Sequence, residues 1–100
     1  ILLVYDAAYS EYINNNDYID GSSLVDNYEN VIMLRTFSKL HGLASLRLGW
    51  GYCSENILSN LMKVRGPFSV NTAAMLAGIA AIKDIEFQEK SVSHNCNWAW

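Results

Sequence analysis

Residues 1–6 read ILLVYD and residues 31–39 read VIMLRTFSK, so two apolar runs each give way abruptly to polar side chains. A continuous apolar run of this length is typical of a strand that is buried on both faces. In open α/β sheets, ligands bind outside the carboxyl ends of the strands. If the two strands are parallel neighbours, the Asp6 carboxylate and the Lys39 amine face one crevice. An aspartate that caps a turn and a solvated loop lysine remain the alternative at this point.

Residues 13–30 connect the two strands and are polar and turn-rich, with room for one short helix.

The segment that follows the second strand predicts a third strand and a helix. Residues 48–53 read LGWGYC and lack the third glycine and the acidic residue of a dinucleotide site, so close backbone packing in a strand explains the glycines. Ser54 is expected to cap the next helix, which Gly66-Pro67 ends.

The last third of the chain predicts two more helices. Asn71 is expected to cap a helix over residues 72–83 that is apolar nearly all round and hence buried. Residues 84–97 predict a final amphipathic segment. Strands separated by helical stretches indicate an α/β fold with a largely parallel sheet.

Composition excludes several function classes. Seven Lys and Arg against ten Asp and Glu give a net charge of −3, and without a basic run a nucleic-acid partner is not expected. The longest apolar run, residues 73–82, is too short to span a bilayer, so no membrane partner is expected either. Cys53 and Cys96 lack zinc-ligand spacing and are expected to be buried free thiols in a reducing compartment. His41 and His94 have no carboxylate or cysteine at useful spacing, so polar contacts are expected there and no metal site.

The residues around the strand ends form a longer and more specific motif. DAAY at residues 6–9 is followed by RTFSKLHGLASLRLG at residues 35–49, with the core Ser-Lys-x-x-Gly-Leu-Ala-x-Leu-Arg-x-Gly. This motif resembles the fold type I pyridoxal-phosphate aminotransferases and, more narrowly, the histidinol-phosphate aminotransferase family. The resemblance covers essentially all 100 residues. It implies that residues 1–100 are part of the large, cofactor-binding α/β domain, and that flanking parts of the enzyme are missing.

The resemblance implies catalytic roles for three residues around pyridoxal 5'-phosphate. Lys39 would form the imine (the internal aldimine) with the cofactor aldehyde and, once displaced by substrate, act as general base. Lysine suits both tasks because its pKa falls readily when it is buried beside cationic groups. Asp6 would hold the pyridine nitrogen protonated, so that the ring is an electron sink. Tyr9 would hydrogen-bond the ring oxygen, although a lone tyrosine is usually packing material.

The same resemblance implies a phosphate site. Arg47 would bind the cofactor phosphate through its bidentate guanidinium, and Thr36 and Ser38 would donate their hydroxyls to the same phosphate. Taken alone, Thr36 would be a turn former. Arg35 is interpreted as a strand-end surface charge. Ala7 stands where the family usually has Glu, which is expected to loosen the support around Asp6.

The implied activity exchanges an amino group between histidinol phosphate and glutamate, with 2-oxoglutarate and imidazole-acetol phosphate as the keto partners. It belongs to cytoplasmic histidine biosynthesis, and family members are homodimers. The family's upstream phosphate-binding turn, ring-stacking aromatic and substrate-binding arginine have no counterpart here, so the 100-residue piece alone is expected to be inactive. Three alternatives stay open: an aromatic or broad-specificity aminotransferase, a phosphothreonine-type decarboxylase of the same fold, and a non-catalytic α/β relative.

Overall fold

The computed structural model describes residues 1–99, in which a three-stranded sheet is accompanied by four α-helices. Short 3₁₀ turns follow the first strand and precede the third. In chain order the elements are β1 (Leu3–Asp6), a 3₁₀ turn (Ser10–Tyr12), α1 (Ser22–Asn27), β2 (Val31–Thr36), a 3₁₀ turn (Ala44–Leu46), β3 (Gly49–Cys53), α2 (Glu55–Val64), α3 (Thr72–Lys83) and α4 (Ile85–Trp98). The α/β prediction is therefore confirmed.

The sheet is mixed, where the sequence predicted a largely parallel one. Strand β2 lies in the middle, with β1 parallel to it and β3 antiparallel to it. Parallel strands need a crossover connection, usually a helix, whereas residues 37–48 between β2 and β3 contain only a 3₁₀ turn. The chain therefore reverses direction after β2. The parallel β1–β2 pair on which the predicted crevice depends is present, with Asp6 opposite Leu34.

The glycines of β3 allow close approach to β2, as the sequence predicted. A Cβ atom added to Gly49 would lie 2.9 Å from the backbone oxygen of Arg35, which is closer than real Cβ contacts come. Gly21 serves a different purpose at the start of α1, since its φ of 88° is in the left-handed region that favours glycine. Both glycines are required by backbone geometry.

The core lies on β2 and is smaller than the sequence predicted. Val31 and Met33 are each 2% exposed, and they form a cluster with Ala7 and Val25. Strand β1 was expected to be buried on both faces, but its Leu3 and Val4 are about half exposed. Among the described residues β1 has a strand neighbour on one side only, so its other edge is unpaired.

The helix boundaries follow the predicted signals, but two details differ. Asn71 caps α3 through its side-chain oxygen, which accepts a hydrogen bond from the Ala74 N–H at 2.9 Å. Ser54 stands at the start of α2 without capping it, because its hydroxyl donates to the Glu29 carbonyl at 3.0 Å. Helix α3 is also not buried all round, since Leu76 is 66% exposed and only its Ala74 side is covered.

The cysteine and membrane predictions have separate outcomes. Cys53 and Cys96 are both free, as expected, but Cys96 is exposed and Cys53 only partly buried, so the predicted burial is wrong. Cys96 lies on α4, which packs only weakly against the rest of the described chain. No helix in the described part of the chain has the length and apolar character needed to cross a membrane.

Candidate active site

The turn after β2 presents Lys39 to solvent between two buried anchors. Phe37 and Leu40 are 8% and 5% exposed, whereas Lys39 between them is exposed. Two backbone hydrogen bonds close the turn, from the Gly42 N–H to the Lys39 carbonyl at 3.0 Å and from the Leu43 N–H to the Phe37 carbonyl at 2.9 Å. The buried anchors on either side therefore fix where the lysine leaves the sheet.

Thr36 shapes the same turn from the end of β2. Its Oγ1 accepts a hydrogen bond from the Ser38 N–H at 3.0 Å, which is the local bonding expected of a threonine at a turn. The predicted turn-forming role of Thr36 is thus present. The same residue also lines the cavity described next, so the two interpretations of Thr36 are compatible.

A cavity of about 370 Å³ lies at the carboxyl ends of β1 and β2. Five of the six site residues predicted from the sequence line it: Asp6, Thr36, Ser38, Lys39 and Arg47. The sixth, Tyr9, lies next to the cavity, with its ring centroid 5.0 Å from the Nζ atom of Lys39. The parallel pairing of β1 with β2 is what brings Asp6 to the same opening as the turn that follows Thr36.

Arg47 reaches the cavity from a strained backbone. Its φ is 55°, and within residues 1–99 it is the one residue other than glycine with a positive φ. An L-residue in the left-handed region is disfavoured by about 1–2 kcal/mol, and such strain clusters at functional sites. One guanidinium nitrogen donates to the Ala44 carbonyl at 2.8 Å, which ties the side chain to the preceding 3₁₀ turn.

The environment of Lys39 differs from the buried, cationic one predicted. The lysine is exposed and its pKa is raised above the ordinary 10.5, chiefly by the hydroxyl of the neighbouring Tyr9 and further by Tyr12 and Asp6. The pKa of Lys39 is therefore raised, where a lowered pKa was expected. Arg47, the cationic neighbour in the motif, is not among the causes.

Arg35 is not the surface charge that the sequence predicted. Its side chain is only 13% exposed, and its guanidinium binds Glu11 at 3.1 Å and Asp20 at 2.7 Å. The guanidinium carbon also lies 5.9 Å from the ring centroid of Trp50. Arg35 borders the cavity as well. Sequence reasoning missed this network because Glu11 lies in a 3₁₀ turn and Asp20 in the turn-rich stretch, and no periodic pattern pairs either residue with β2.

Two cations at the cavity remain uncompensated. Within the described residues, neither Lys39 nor Arg47 forms an ion pair, whereas Arg35 is matched by two carboxylates. A guanidinium, an ammonium, two hydroxyls and a carboxylate line this one cavity, and together they suit a ligand that carries both an anionic and a cationic group. The arrangement favours a phosphorylated ligand.

Neither histidine contributes to this cavity. His41 stacks on Phe37 with ring centroids 4.7 Å apart, and its buried Nδ1 has no hydrogen-bond partner in the described part of the chain, so the predicted polar contact is not made there. His94 lies 6.1 Å from Trp98, ring to ring. Across residues 1–99 no three His, Cys, Asp or Glu side chains group as metal ligands would.

The comparison with known families agrees with this site. The model of the family "Aminotransferase class I and II" matches residues 1–96, and the chain belongs to that family. Among curated relatives, the histidinol-phosphate aminotransferases of Rhodospirillum centenum and Maricaulis maris are each 55% identical to it, over 95 and 97 residues. These matches cover 95% and 97% of this chain but 26% and 27% of the relatives, so the chain spans about a quarter of their length.

Solved structures show the same fold. The histidinol-phosphate aminotransferase of Sinorhizobium meliloti, in complex with pyridoxal-5'-phosphate, superposes with a TM-score of 0.85 at 33% identity, over 96% of this chain and 26% of that one. A putative histidinol-phosphate aminotransferase from Erwinia carotovora gives a TM-score of 0.86 at 26% identity, over 94% of this chain and 28% of that one. The predicted family and its fold are confirmed.

Proposed function

We propose that this chain is part of the large, cofactor-binding domain of a pyridoxal-phosphate-dependent histidinol-phosphate aminotransferase. One observation carries the proposal: a single cavity at the ends of two parallel strands is lined by Asp6, Lys39 and Arg47, together with the hydroxyl residues Thr36 and Ser38. The class I and II family match and the names of the relatives support the same activity.

The donor set fits pyridoxal 5'-phosphate. The phosphate would be bound by the guanidinium of Arg47 and the hydroxyls of Thr36 and Ser38. Backbone strain such as that of Arg47 clusters at functional sites, which supports a binding role for this residue. One carboxylate oxygen of Asp6 accepts a hydrogen bond from the Ala8 N–H at 3.0 Å, and the second oxygen is available to a protonated ring nitrogen. When bound, the cofactor supplies an aldehyde for covalent attachment and a ring that withdraws electrons from the substrate α-carbon.

The chain's own residues would bind, orient and move protons. Lys39 would hold the cofactor covalently and, after release, carry a proton from the substrate α-carbon, because its amine is exposed to the cavity on a turn fixed by Phe37 and Leu40. Asp6 would keep the ring nitrogen protonated by its negative charge. Tyr9, beside the Lys39 amine, would donate its hydroxyl to the cofactor's ring oxygen.

The substrates follow from the relatives rather than from this cavity. Amino transfer between histidinol phosphate and glutamate is supported by the identity of 55% to proteins of that name, over a quarter of their length. The same proposal includes a homodimer in the cytoplasm. It also holds that the enzyme's substrates are small molecules. We expect the residues that select the amino donor to lie largely outside residues 1–100.

The experiment uses the full-length protein that carries this segment. Borohydride reduction in the presence of pyridoxal 5'-phosphate should attach the cofactor to Lys39, and peptide mapping should find Lys63 and Lys83 unlabelled. Lys39→Ala should abolish the attachment, while Lys63→Ala serves as the matched control. Label on Lys63 or Lys83 in the wild type would refute the assignment.

Substrate panels then separate the related activities. Full-length enzyme is mixed with 2-oxoglutarate and either histidinol phosphate or an aromatic amino acid, and glutamate is measured. Preference for histidinol phosphate supports the proposal. Preference for aromatic amino acids, or release of carbon dioxide from a phosphorylated amino acid, would assign the chain to another activity of the same fold.

A further inference from the structure

The ion pairs of Arg35 connect three segments that meet beside the cavity. Arg35 lies on β2, one residue before Thr36. Its Nη1 binds Glu11, in the 3₁₀ turn that follows Tyr9, and its Nη2 binds Asp20, just before α1. Both bonds come from one planar guanidinium, which can serve two carboxylates at once as a lysine ammonium cannot.

The two carboxylates have different local tasks. The Ser10 hydroxyl donates to the Ala7 carbonyl at 2.9 Å and lies 3.3 Å from a Glu11 carboxylate oxygen. Asp20 instead accepts from the Ser22 N–H and hydroxyl, at 3.0 and 2.6 Å. The Glu11 arm therefore fixes the turn that carries Tyr9, whereas the Asp20 arm fixes the entry of α1.

Tyr9 itself has little to hold it in place. The residue is 58% exposed, and its ring contacts Tyr12 only at a centroid distance of 6.4 Å. Its position over the Lys39 amine, 5.0 Å from the ring centroid, thus depends on the backbone of the turn. That backbone is tied to β2 through Glu11 and Arg35, and β2 leads directly into the turn of Lys39.

We infer that Arg35 is a positioning residue: through its ion pair with Glu11 it sets the spacing between Tyr9 and Lys39. The catalytic role of this spacing rests on the proposed function, but the spacing between Tyr9 and Lys39 can be tested in protein that has no cofactor bound. The polar and aromatic contacts of the Arg35 guanidinium are with Glu11, Asp20 and Trp50. It acts by fixing the two segments from which the phenol and the amine project.

The test measures the Lys39 amine in cofactor-free, full-length protein. Acetic anhydride acetylates only the neutral amine, so the pH dependence of Lys39 labelling, resolved by peptide mass spectrometry, reports its pKa. Tyr9, Tyr12 and Asp6 are the groups that raise this pKa, and Glu11 is not among them. We therefore expect a change at Glu11 to act on Lys39 through the position of Tyr9, and Asp20→Asn controls for the lost charge.

Glu11→Gln should raise the labelling rate of Lys39 at a fixed pH near 9 by about twofold or more, and Tyr9→Phe should raise it as well. Asp20→Asn is the matched control, because it removes the same charge and the other arm of Arg35. It should leave the labelling rate at the wild-type value. Arg35→Lys should raise the rate too, since an ammonium cannot hold both arms, and it replaces Glu11→Gln if that variant does not fold.

Three results would overturn the inference. Wild-type labelling in Glu11→Gln beside raised labelling in Tyr9→Phe would show that Glu11 does not place Tyr9. Equal rises in Glu11→Gln and Asp20→Asn would mean general loosening of the fold. Unchanged labelling in Tyr9→Phe would remove the contact on which the inference depends. Failure of the proposed function is read separately, by borohydride attachment at Lys39.

Discussion

The side-chain amide of Asn71 donates a hydrogen bond to the carbonyl of Leu46 at 3.1 Å, while the oxygen of the same side chain caps α3. Leu46 immediately precedes Arg47, the strained residue at the cavity. One side chain therefore joins the start of a helix to the backbone that presents the proposed phosphate ligand. Its two hydrogen bonds use different atoms, so substitution can separate them.

Asn71→Ala removes both bonds, and Asn71→Asp keeps the cap but not the donor. A lost N-cap costs about 1 kcal/mol and a lost hydrogen bond a similar amount. The free energy of unfolding of the full-length protein should thus fall by about 1–2 kcal/mol in Asn71→Ala and by less in Asn71→Asp. Both should bind pyridoxal 5'-phosphate more weakly. Wild-type affinity in Asn71→Asp would show that Leu46 needs no tether.

The backbone of Arg47 allows its strain to be separated from its charge. Arg47→Gly removes the strain of the left-handed conformation, which stabilises the folded state by about 1–2 kcal/mol. The greater flexibility of glycine in the unfolded chain offsets about 0.5–1 kcal/mol of this gain. Arg47→Ala retains the strain. Both should lose cofactor affinity by about tenfold or more, since a charged hydrogen bond contributes about 1.5–3 kcal/mol. The melting temperature of the cofactor-free protein should be higher for Arg47→Gly than for Arg47→Ala. The reverse order would contradict a strained backbone at Arg47.

The fold was predictable where local signals dominate. Asn71, followed by an apolar helical stretch, marked the start of α3 at Thr72, and the apolar run from Val31 marked β2. Antiparallel β3 was not predicted because strand direction depends on what lies in the connection. Between β2 and β3, apolar residues at positions 40, 43, 44 and 46 have helical spacing, yet the structure has only a 3₁₀ turn there. Exposure of α3 also escaped prediction, since an apolar composition cannot say which faces find partners.

The site was predictable in its members but not in its electrostatics. A specific motif named Asp6, Lys39 and Arg47, and all three line one cavity. The raised pKa of Lys39 depends chiefly on the Tyr9 hydroxyl, which only the tertiary structure brings beside the amine. The burial of Arg35 depends on two acidic residues from a loop whose path no periodicity specifies. Long-range polar contacts therefore account for both errors.

Close packing at Gly49 leads to a prediction for the strand beside Arg35. Gly49→Ala places a Cβ 2.9 Å from the Arg35 backbone oxygen, so β2 and β3 must separate. Overpacking of this kind costs about 1–3 kcal/mol. Gly51→Ala is the control on the same strand, because its nearest contact is a movable Leu34 methyl at 3.3 Å. Urea unfolding should show the larger loss in Gly49→Ala, and equal losses would contradict the close approach.

Asp6 is expected to act through charge rather than shape. Asp6→Asn keeps the acceptor for the Ala8 N–H but cannot stabilise a protonated ring nitrogen. With a charged hydrogen bond worth about 1.5–3 kcal/mol, kcat of the full-length enzyme should fall by about tenfold or more at saturating cofactor. Asp17→Asn, in the exposed loop before α1, removes the same charge and should retain wild-type turnover. An unchanged kcat in Asp6→Asn would mean that Asp6 only shapes its turn.

The raised pKa of Lys39 sets the pH dependence of cofactor capture. Only the neutral amine attacks an aldehyde, and the neighbouring Tyr9 raises the pKa of the Lys39 amine above its ordinary 10.5. Folding thus favours the protonated lysine, and this small stabilisation is present at neutral pH and lost as the pH rises through the folded pKa.

In cofactor-free, full-length protein, the rate of attachment of pyridoxal 5'-phosphate should therefore rise by about tenfold per pH unit between about pH 7 and 9, as the neutral fraction does. Stopped-flow absorbance of the bound cofactor measures this rate. Tyr9→Phe should attach faster than wild type at each pH, because its Lys39 pKa lies lower. A rate that is flat over this range would contradict the protonated amine, and a slower Tyr9→Phe would show that the phenol assists attachment more than it restrains the lysine.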